Sequence, residues 1–424
     1  MKTIVSELQA HPQVSDYKIN LHEKQSYELF FVKGRLETVR CTDTTDKEVT
    51  VYADHGEFKG DASFYVYPST DDVQLKALIG EAVGKALLID NKTYTLPVKE
   101  EGSYVVESNF ASFEPGELAA RIAKAVFAAN DVENAALNAV EIFINRHTER
   151  VLNSKGLDKT QVRYDAMVEA IPTYNGEKQS VELYEQYNFG SFDEQELVSE
   201  IAGKLREVRA RYEAVKPEEA IRCPVILNRE ELQSLFENIA YDLSFGAVYM
   251  QANLHKKGDA IQKDITGDAI GIVMAGEADG SISSRKFDGD GLRLTPTRIV
   301  DGGKAAAYHG GNRFAQYLDE VPTGDMNCIC VDVGTVTEEE FTQGESLEVI
   351  SMSGLQVDFY SDYIGGEVRL AYHRRDGVTV PVTGISISGK LSEVLGSIRL
   401  SEKPGVFDSY TGPEKAILTG MTVF

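Results

Sequence analysis

Seven histidines and four cysteines are the side chains of this sequence best suited to bind a transition metal or move a proton near neutral pH. The histidines (His11, His22, His55, His147, His255, His309 and His373) are scattered, with no two at ligand spacing. A zinc centre needs three or four nitrogen or sulfur donors brought together. Cys41, Cys223, Cys328 and Cys330 are few and irregularly spaced, as free thiols of a reducing compartment are. Cys328-Ile329-Cys330 falls on an expected strand, where residues two apart share a face. A metal pair is one reading. With no histidine or further cysteine nearby in sequence, two small packed thiols are the expectation. Asp288-Gly289-Asp290-Gly291 has the look of a calcium loop, but Leu292 and Arg293 fill places that need an oxygen ligand and a glycine, so a hairpin turn is expected. His255, in Asn253-Leu254-His255-Lys256-Lys257, could face a cleft, although an exposed loop position is the expectation. Tyr308-His309-Gly310-Gly311-Asn312 is either a loop able to move over a bound peptide or an ordinary β connection. No Gly-x-Ser-x-Gly elbow, phosphate loop or dinucleotide fingerprint occurs.

The 424 residues carry 67 acids against 43 bases, a formal net charge of −24. Such a surface repels phosphate backbones, so no nucleic-acid partner is expected. A hydrophobic fraction of 42% is ordinary for a globular protein. The N-terminal residues 1–8 contain no apolar stretch of signal-peptide length, and no run of about 18 apolar residues occurs. A cytoplasmic protein with no membrane partner is the expectation.

The length calls for more than one core. The first half reads as a duplication. Strands Tyr27–Val32, Val49–Ala53 and Ala62–Tyr67 precede a helix that starts near Ser69, with Val73, Leu75, Leu78, Ile79 and Val83 apolar. Strands Val140–Ile144, Val162–Ala166 and Ser180–Glu185 precede a helix after Asp193, with Leu197, Ile201, Leu205 and Val208. Between them Pro115 opens a helix to about Ala129. The polar, proline-broken segment Val215–Glu219 marks a boundary. We therefore expect an α+β chain. An N-terminal sheet and helix domain would cover 1–218, in two units of about 1–130 and 131–218. A predominantly β domain with a curved or closed sheet would cover 219–424. In the latter, short β runs such as Ala269–Met274, Cys328–Val333, Gly354–Tyr360, Glu367–His373 and Ala416–Phe424 are punctuated by Asp-Gly turns.

At the head of the second half, Pro224-Val225-Ile226-Leu227-Asn228 leads into Arg229-Glu230-Glu231-Leu232-Gln233-Ser234-Leu235-Phe236-Glu237-Asn238-Ile239-Ala240-Tyr241. This strand and helix resemble the TldD/PmbA family. Further matches are Asn153-Ser154-Lys155-Gly156, Phe287-Asp288-Gly289-Asp290-Gly291, Ile299-Val300-Asp301-Gly302-Gly303, Met326-Asn327 with Gly334, and Val380–Gly389. They follow the family's order along most of the chain.

The TldD branch carries His-Glu-x-x-x-His on this helix and a further cysteine ligand near the C-terminus. Here Phe236 and Tyr241 replace both histidines, Glu237 remains, and Pro404–Pro413 has no cysteine. Phenylalanine and neutral tyrosine are poor stand-ins for imidazole. Ligands five apart on an ideal helix diverge by about 140°, so an intact motif needs a bulged turn. Without metal-bound water Glu237 has nothing to activate, and a solvated or paired glutamate is expected. The resemblance thus implies the PmbA (TldE) branch, with no catalytic residue, no metal and no cofactor. It implies a non-catalytic pseudoenzyme subunit of a cytosolic zinc metallopeptidase that processes unfolded peptides, partnered by a TldD-like subunit or by itself as a dimer. The alternatives are a self-sufficient peptidase of unrecognised mechanism and a homodimeric peptide-binding protein without proteolytic role. The family's label as a modulator of DNA gyrase fits an indirect link better than DNA contact, given the acidic charge.

Overall fold

The computed structural model describes residues 1–129 and 132–424. The expected junction between the two N-terminal units, at 130/131, lies outside the described residues. Strands β1 (Asp16–Val32), β2 (Arg35–His55), β3 (Phe58–Tyr65), β4 (Glu101–Val105), β5 (Ala135–Asn153), β6 (Asp158–Asn175), β7 (Ser180–Glu182) and β8 (Glu185–Phe189) form one sheet. Its order is β3-β2-β1-β5-β6-β4, with β7 and β8 also on β6. β1 and β5 pair antiparallel at the centre from Lys18/Asn153 to Val32/Ala139. On one side β1, β2 and β3 follow in chain order, and on the other β5 and β6 are followed by the short β7 and β8. With β2 at 21 residues, a flat sheet would run to about 70 Å. Strand twist curls it into a half-barrel instead.

Helices α1 (Lys2–Ala10), α2 (Asp72–Ala86), α3 (Pro115–Ala128) and α4 (Glu194–Glu213) line one face of that sheet. The starts of α2 and α4 are fixed by side-chain oxygens: Asp71 forms a capping box with Gln74, and Asp193 accepts from the amides of Gln195 and Glu196. Leu75, Ile79 and Val83 of α2 pack on Val49 and Val51. Leu118 and Ile122 of α3 and Leu197, Ile201 and Leu205 of α4 pack on Leu29, Ile142 and Val168. Alternation turns Lys18, Asn20, His22, Ser26 and Glu28 to the opposite face. There His22 Nε2 lies 2.8 Å from His147 Nδ1, with the rings stacked, and His147 Nε2 lies 2.7 Å from Asp165. The histidines scattered in sequence therefore include a pair in space, because β1 and β5 are neighbours.

The second half contains strands β9 (Val225–Asn228), β10 (Ile272–Ala275), β11 (Thr297–Asp301), β12 (Lys304–Ala305), β13 (Cys328–Val331), β14 (Ser346–Met352), β15 (Gln356–Asp358), β16 (Tyr363–Arg375), β17 (Val378–Val382), β18 (Ile385–Lys390), β19 (Arg399–Leu400), β20 (Pro404–Phe407), β21 (Tyr410–Pro413), β22 (Lys415–Leu418) and β23 (Thr422–Val423). One sheet runs β12-β11-β10-β13-β21-β20, and the other β19-β22-β9-β14-β16-β18-β23, with β15 and β17 on β16. Short helices α6 (Phe245–Tyr249), α7 (Asn312–Tyr317), α8 (Glu338–Phe341) and α9 (Leu391–Ser397) follow the long helix α5 (Arg229–Asp242). Val225, Leu227, Leu232, Leu235, Phe236, Ile272, Ile329, Leu347 and Ile387 share one core between the two sheets and α5. Four expected strands, 269–274, 328–333, 354–360 and 416–424, are shorter than read, the last two for visible reasons. Gly420, at φ +84, breaks 416–424 into β22 and β23. The Asp358 carboxylate takes the amides of Tyr360 and Ser361, which ends β15.

Candidate functional site

β9 delivers the chain to α5 from the middle of a sheet, between β22 and β14. Asn228 caps the helix by accepting from the Glu230 amide at 2.9 Å. Leu232, Leu235, Phe236 and Ile239 recur at helical spacing and are buried, so this face is held against the core. At the far end Asp242 accepts from the Leu254 amide at 2.5 Å and lies 2.9 Å from His255 Nδ1. His255 is therefore a partly buried partner of Asp242, also set edge-on to Phe359, and not the exposed loop residue expected. A carboxylate at the helix end gives the imidazole a reason to turn inward.

The loop Tyr308–Asn312 is fastened to the same end. The Phe245 amide donates to His309 O at 2.7 Å, and His309 Nε2 lies 2.9 Å from Ala240 O. Burial drives the His309 imidazole below its usual pKa, so it sits there as a neutral donor to that carbonyl.

Glu237 lies on the exposed side of α5. Gln233 Nε2 donates to its Oε1 at 2.6 Å, and Ser409 Oγ is 3.0 Å from the same oxygen. Gln233 also reaches Ser409, at 2.8 Å. Ser409 stands in the turn between β20 and β21, within Pro404–Pro413, the segment that the resemblance sets against the TldD branch's cysteine. Asp408 holds that turn with φ +47 and accepts from Asn188 Nδ2 at 3.1 Å. Burial raises the pKa of its carboxyl, with Glu237 adding to the rise and Asn188 opposing it.

The family's zinc positions can be tested against this geometry. The Phe236 ring is fully buried and stacks on Tyr410 at 6.1 Å between centroids and 6° between planes. The Tyr410 hydroxyl is committed to Pro413 O at 2.9 Å. Tyr241 is 56% exposed, while Phe236 points into the core. α5 is a regular α-helix throughout, so the two positions diverge around its axis. A buried hydrocarbon ring, an outward phenol and a serine turn do not make a donor set for zinc.

What the arrangement does offer is a cleft of about 840 Å³ between α4, β8, the β20–β21 hairpin and the start of α5. Lys204 Nζ lies 3.0 Å from Glu185 and 2.9 Å from Glu207, and Arg229 pairs with Glu200. Burial opposes the charge on Lys204, yet Glu207 and Glu185 outweigh it and raise its pKa. Eight acids against four bases line the cleft, so it favours a cationic occupant. At the first turn of α5, Glu231 is buried with Oε2 unpartnered, and burial pushes its carboxyl up to about 8.

Other candidates resolve as packing. The Asp288 Oδ1 accepts from the amides of Asp290 and Leu292 at 2.9 Å, and Oδ2 from Asp325 at 3.0 Å. The Asp-Gly repeat is thus a turn whose leading carboxylate is occupied by the backbone. Burial lifts that carboxyl to about 6. Cys328 is buried beside Ser281 and Ser284, and Cys330 is half-buried. Nothing in the sequence singles out Gln233, Ser409, Lys204 or Arg229 as site residues. Each has a polar partner on another element, so only the packing of α4, β8, the hairpin and α5 against one another reveals them.

Residues 220–423 match the family model of the PmbA/TldA metallopeptidase C-terminal domain. No curated protein matches the sequence. Among solved structures, the chain is similar to TldE from Thermococcus kodakarensis, with a TM-score of 0.79 at 14% identity over 100% of this chain and 99% of that one. A candidate modulator of DNA gyrase from Thermotoga maritima gives 0.76 at 16% identity over 100% of both chains. Another from Bacteroides thetaiotaomicron gives 0.75 at 13% over 100% of this chain and 96% of that one. At such identities these likenesses speak for the fold. Among the described residues, no helix is long and apolar enough to cross a membrane. Residues 220–423 thus belong to the PmbA/TldA metallopeptidase C-terminal domain family, on a chain whose whole length follows the fold of TldE.

Proposed function

We propose that this chain is a TldE-like subunit, catalytically silent by itself, that joins a TldD-like zinc peptidase in the cytoplasm and helps hold unfolded peptide. The observation that carries the reading is the Phe236–Tyr410 stack, which puts hydrocarbon where the peptidase branch needs an imidazole. Glu237 supports it as well. A base acts on a proton within hydrogen-bond reach, and this carboxylate is engaged by Gln233 and Ser409. The acidic cleft against α4 supports a role in binding extended, basic segments, and free strand edges can add main-chain hydrogen bonds. The formal charge of −24 argues against direct contact with DNA.

The test uses an unstructured lysine-rich peptide. The purified chain is expected to bind it with an affinity that falls as salt rises, and to leave it intact. Adding a TldD-like subunit with an intact His-Glu-x-x-x-His motif is expected to give chelator-sensitive cleavage faster than that subunit achieves alone. Cleavage by the chain alone that resists chelators would overturn the proposal, as would no effect on the partner.

A further inference from the structure

Three residues far apart in sequence meet at one rim of the β9–β14–β16 sheet. Leu347 pairs with Val225 in parallel register and with His373 in antiparallel register. Cys223 precedes Val225 by two residues, and Glu345 precedes Leu347 by two. The pleat therefore puts Cys223, Glu345 and His373 on the face that carries buried Val225 and Leu347, where that face leaves the core. One donor atom of each, the Cys223 sulfur, a Glu345 carboxylate oxygen and a His373 ring nitrogen, lie within 4.8 Å of one another. His373 Nε2 and Glu345 Oε1 are already 2.9 Å apart.

We propose that Cys223, Glu345 and His373 form a binding site for a zinc-class divalent ion, separate from the family's motif on α5. Zinc bonds of about 2.0–2.3 Å in a tetrahedron set donor–donor edges of about 3.3–3.6 Å, so small side-chain adjustments close the site around an ion. Thiolate and carboxylate together neutralise a doubly charged cation. Sulfur with imidazole favours zinc over magnesium or calcium, which prefer all-oxygen shells. Glu345 is 36% and His373 17% exposed in their side chains, which leaves the fourth position to water. Cys223 also lines a solvent-open depression with Thr419 and Met421. Binding releases the thiol proton, and the proton that His373 Nε2 gives to the Glu345 hydrogen bond moves to Nδ1 as each partner exchanges that bond for a metal bond. The ion would tie the entry of β9, the strand that leads into α5, to β14 and β16.

Cobalt(II) is the probe. Titrated into full-length protein that has been stripped of metal and kept reduced, it is expected to bind one equivalent. The expected signature is thiolate-to-cobalt charge-transfer absorption with the visible bands of tetrahedral cobalt, displaced by zinc. Cys223→Ala is expected to abolish the charge-transfer band. His373→Gln should weaken binding on the order of 10²-fold, since even partners of ligands cost 10- to 100-fold. Cys330→Ala and Glu237→Gln should leave both readouts unchanged. Zinc should raise the melting temperature of the parent protein and not that of Cys223→Ala, with circular dichroism checking the fold of each variant. No charge-transfer band in the parent overturns the proposal, and so does a band that persists in Cys223→Ala. Loss of binding in Glu237→Gln would place the ion on α5 and overturn it too.

Discussion

Replacing Phe236 by alanine separates a core position from an emptied ligand position. The ring is 0% exposed and stacks in parallel on Tyr410. Truncating a buried phenylalanine costs about 3–5 kcal/mol, and an aromatic pair adds about 0.5–1.5 kcal/mol beyond its buried area. With a total stability of about 5–15 kcal/mol for a typical domain, Phe236→Ala alone could bring the second half close to unfolding. Phe236→Leu, which keeps much of the volume, is expected to cost about 1–1.5 kcal/mol. Tyr241→Ala, on the exposed side of the same helix, should stay within about 0.5 kcal/mol. Urea unfolding followed by circular dichroism and tyrosine fluorescence reads all three, since the chain has no tryptophan. A double-mutant cycle between Phe236→Leu and Tyr410→Leu should return a coupling of at least about 0.5 kcal/mol. The outcome that counts against a core role for this ring is a Phe236→Ala cost below about 1 kcal/mol, or one no greater than that of Tyr241→Ala. Either result would mean that the ring faces an open site.

Three further outcomes follow from the same geometry. The Glu231 carboxyl, pushed up to about 8 from an ordinary 4.5, keeps its proton in the folded state over a range where the unfolded chain has lost it. Stability should therefore fall as pH rises from about 4.5 to about 8, by up to about 1.4 kcal/mol per pH unit, and Glu231→Gln should remove that slope in urea titrations across pH. Lys204→Met leaves Glu185 and Glu207 without their shared cation and should cost about 3 kcal/mol in thermal unfolding; a cost below about 1 kcal/mol would show the cluster to be well solvated. A Cβ on Gly60 would stand 1.7 Å from Ala86 O, so Gly60→Ala should push α2 off β3 and lower stability by about 1–3 kcal/mol, read as a drop in melting temperature.

Much of the architecture was legible because it rests on local chemistry. Asp71, Asp193 and Asn228 announce helix starts, and the apolar spacing of α3, α4 and α5 fixes which side is buried. Strand lengths were not legible. Tyr27–Val32 reads as a strand from its aromatic and branched residues, whereas Lys18–Ser26, largely polar on one face, belongs to the same strand only because β2 and β5 pair with it. The site divides in the same way. Phe236, Glu237 and Tyr241 stand out through their resemblance to a motif. The Gln233–Glu237–Ser409 contact, the Lys204 cluster and the Cys223, Glu345 and His373 group depend on register between elements remote in sequence.

The most direct test of the central claim is an anomalous-scattering map at the zinc edge, from crystals of the full chain grown with zinc. No ion is expected within bonding distance of Glu237, with the Phe236 ring in its place against Tyr410 and any peak lying between Cys223, Glu345 and His373. A full-occupancy peak coordinated by Glu237 would contradict that claim.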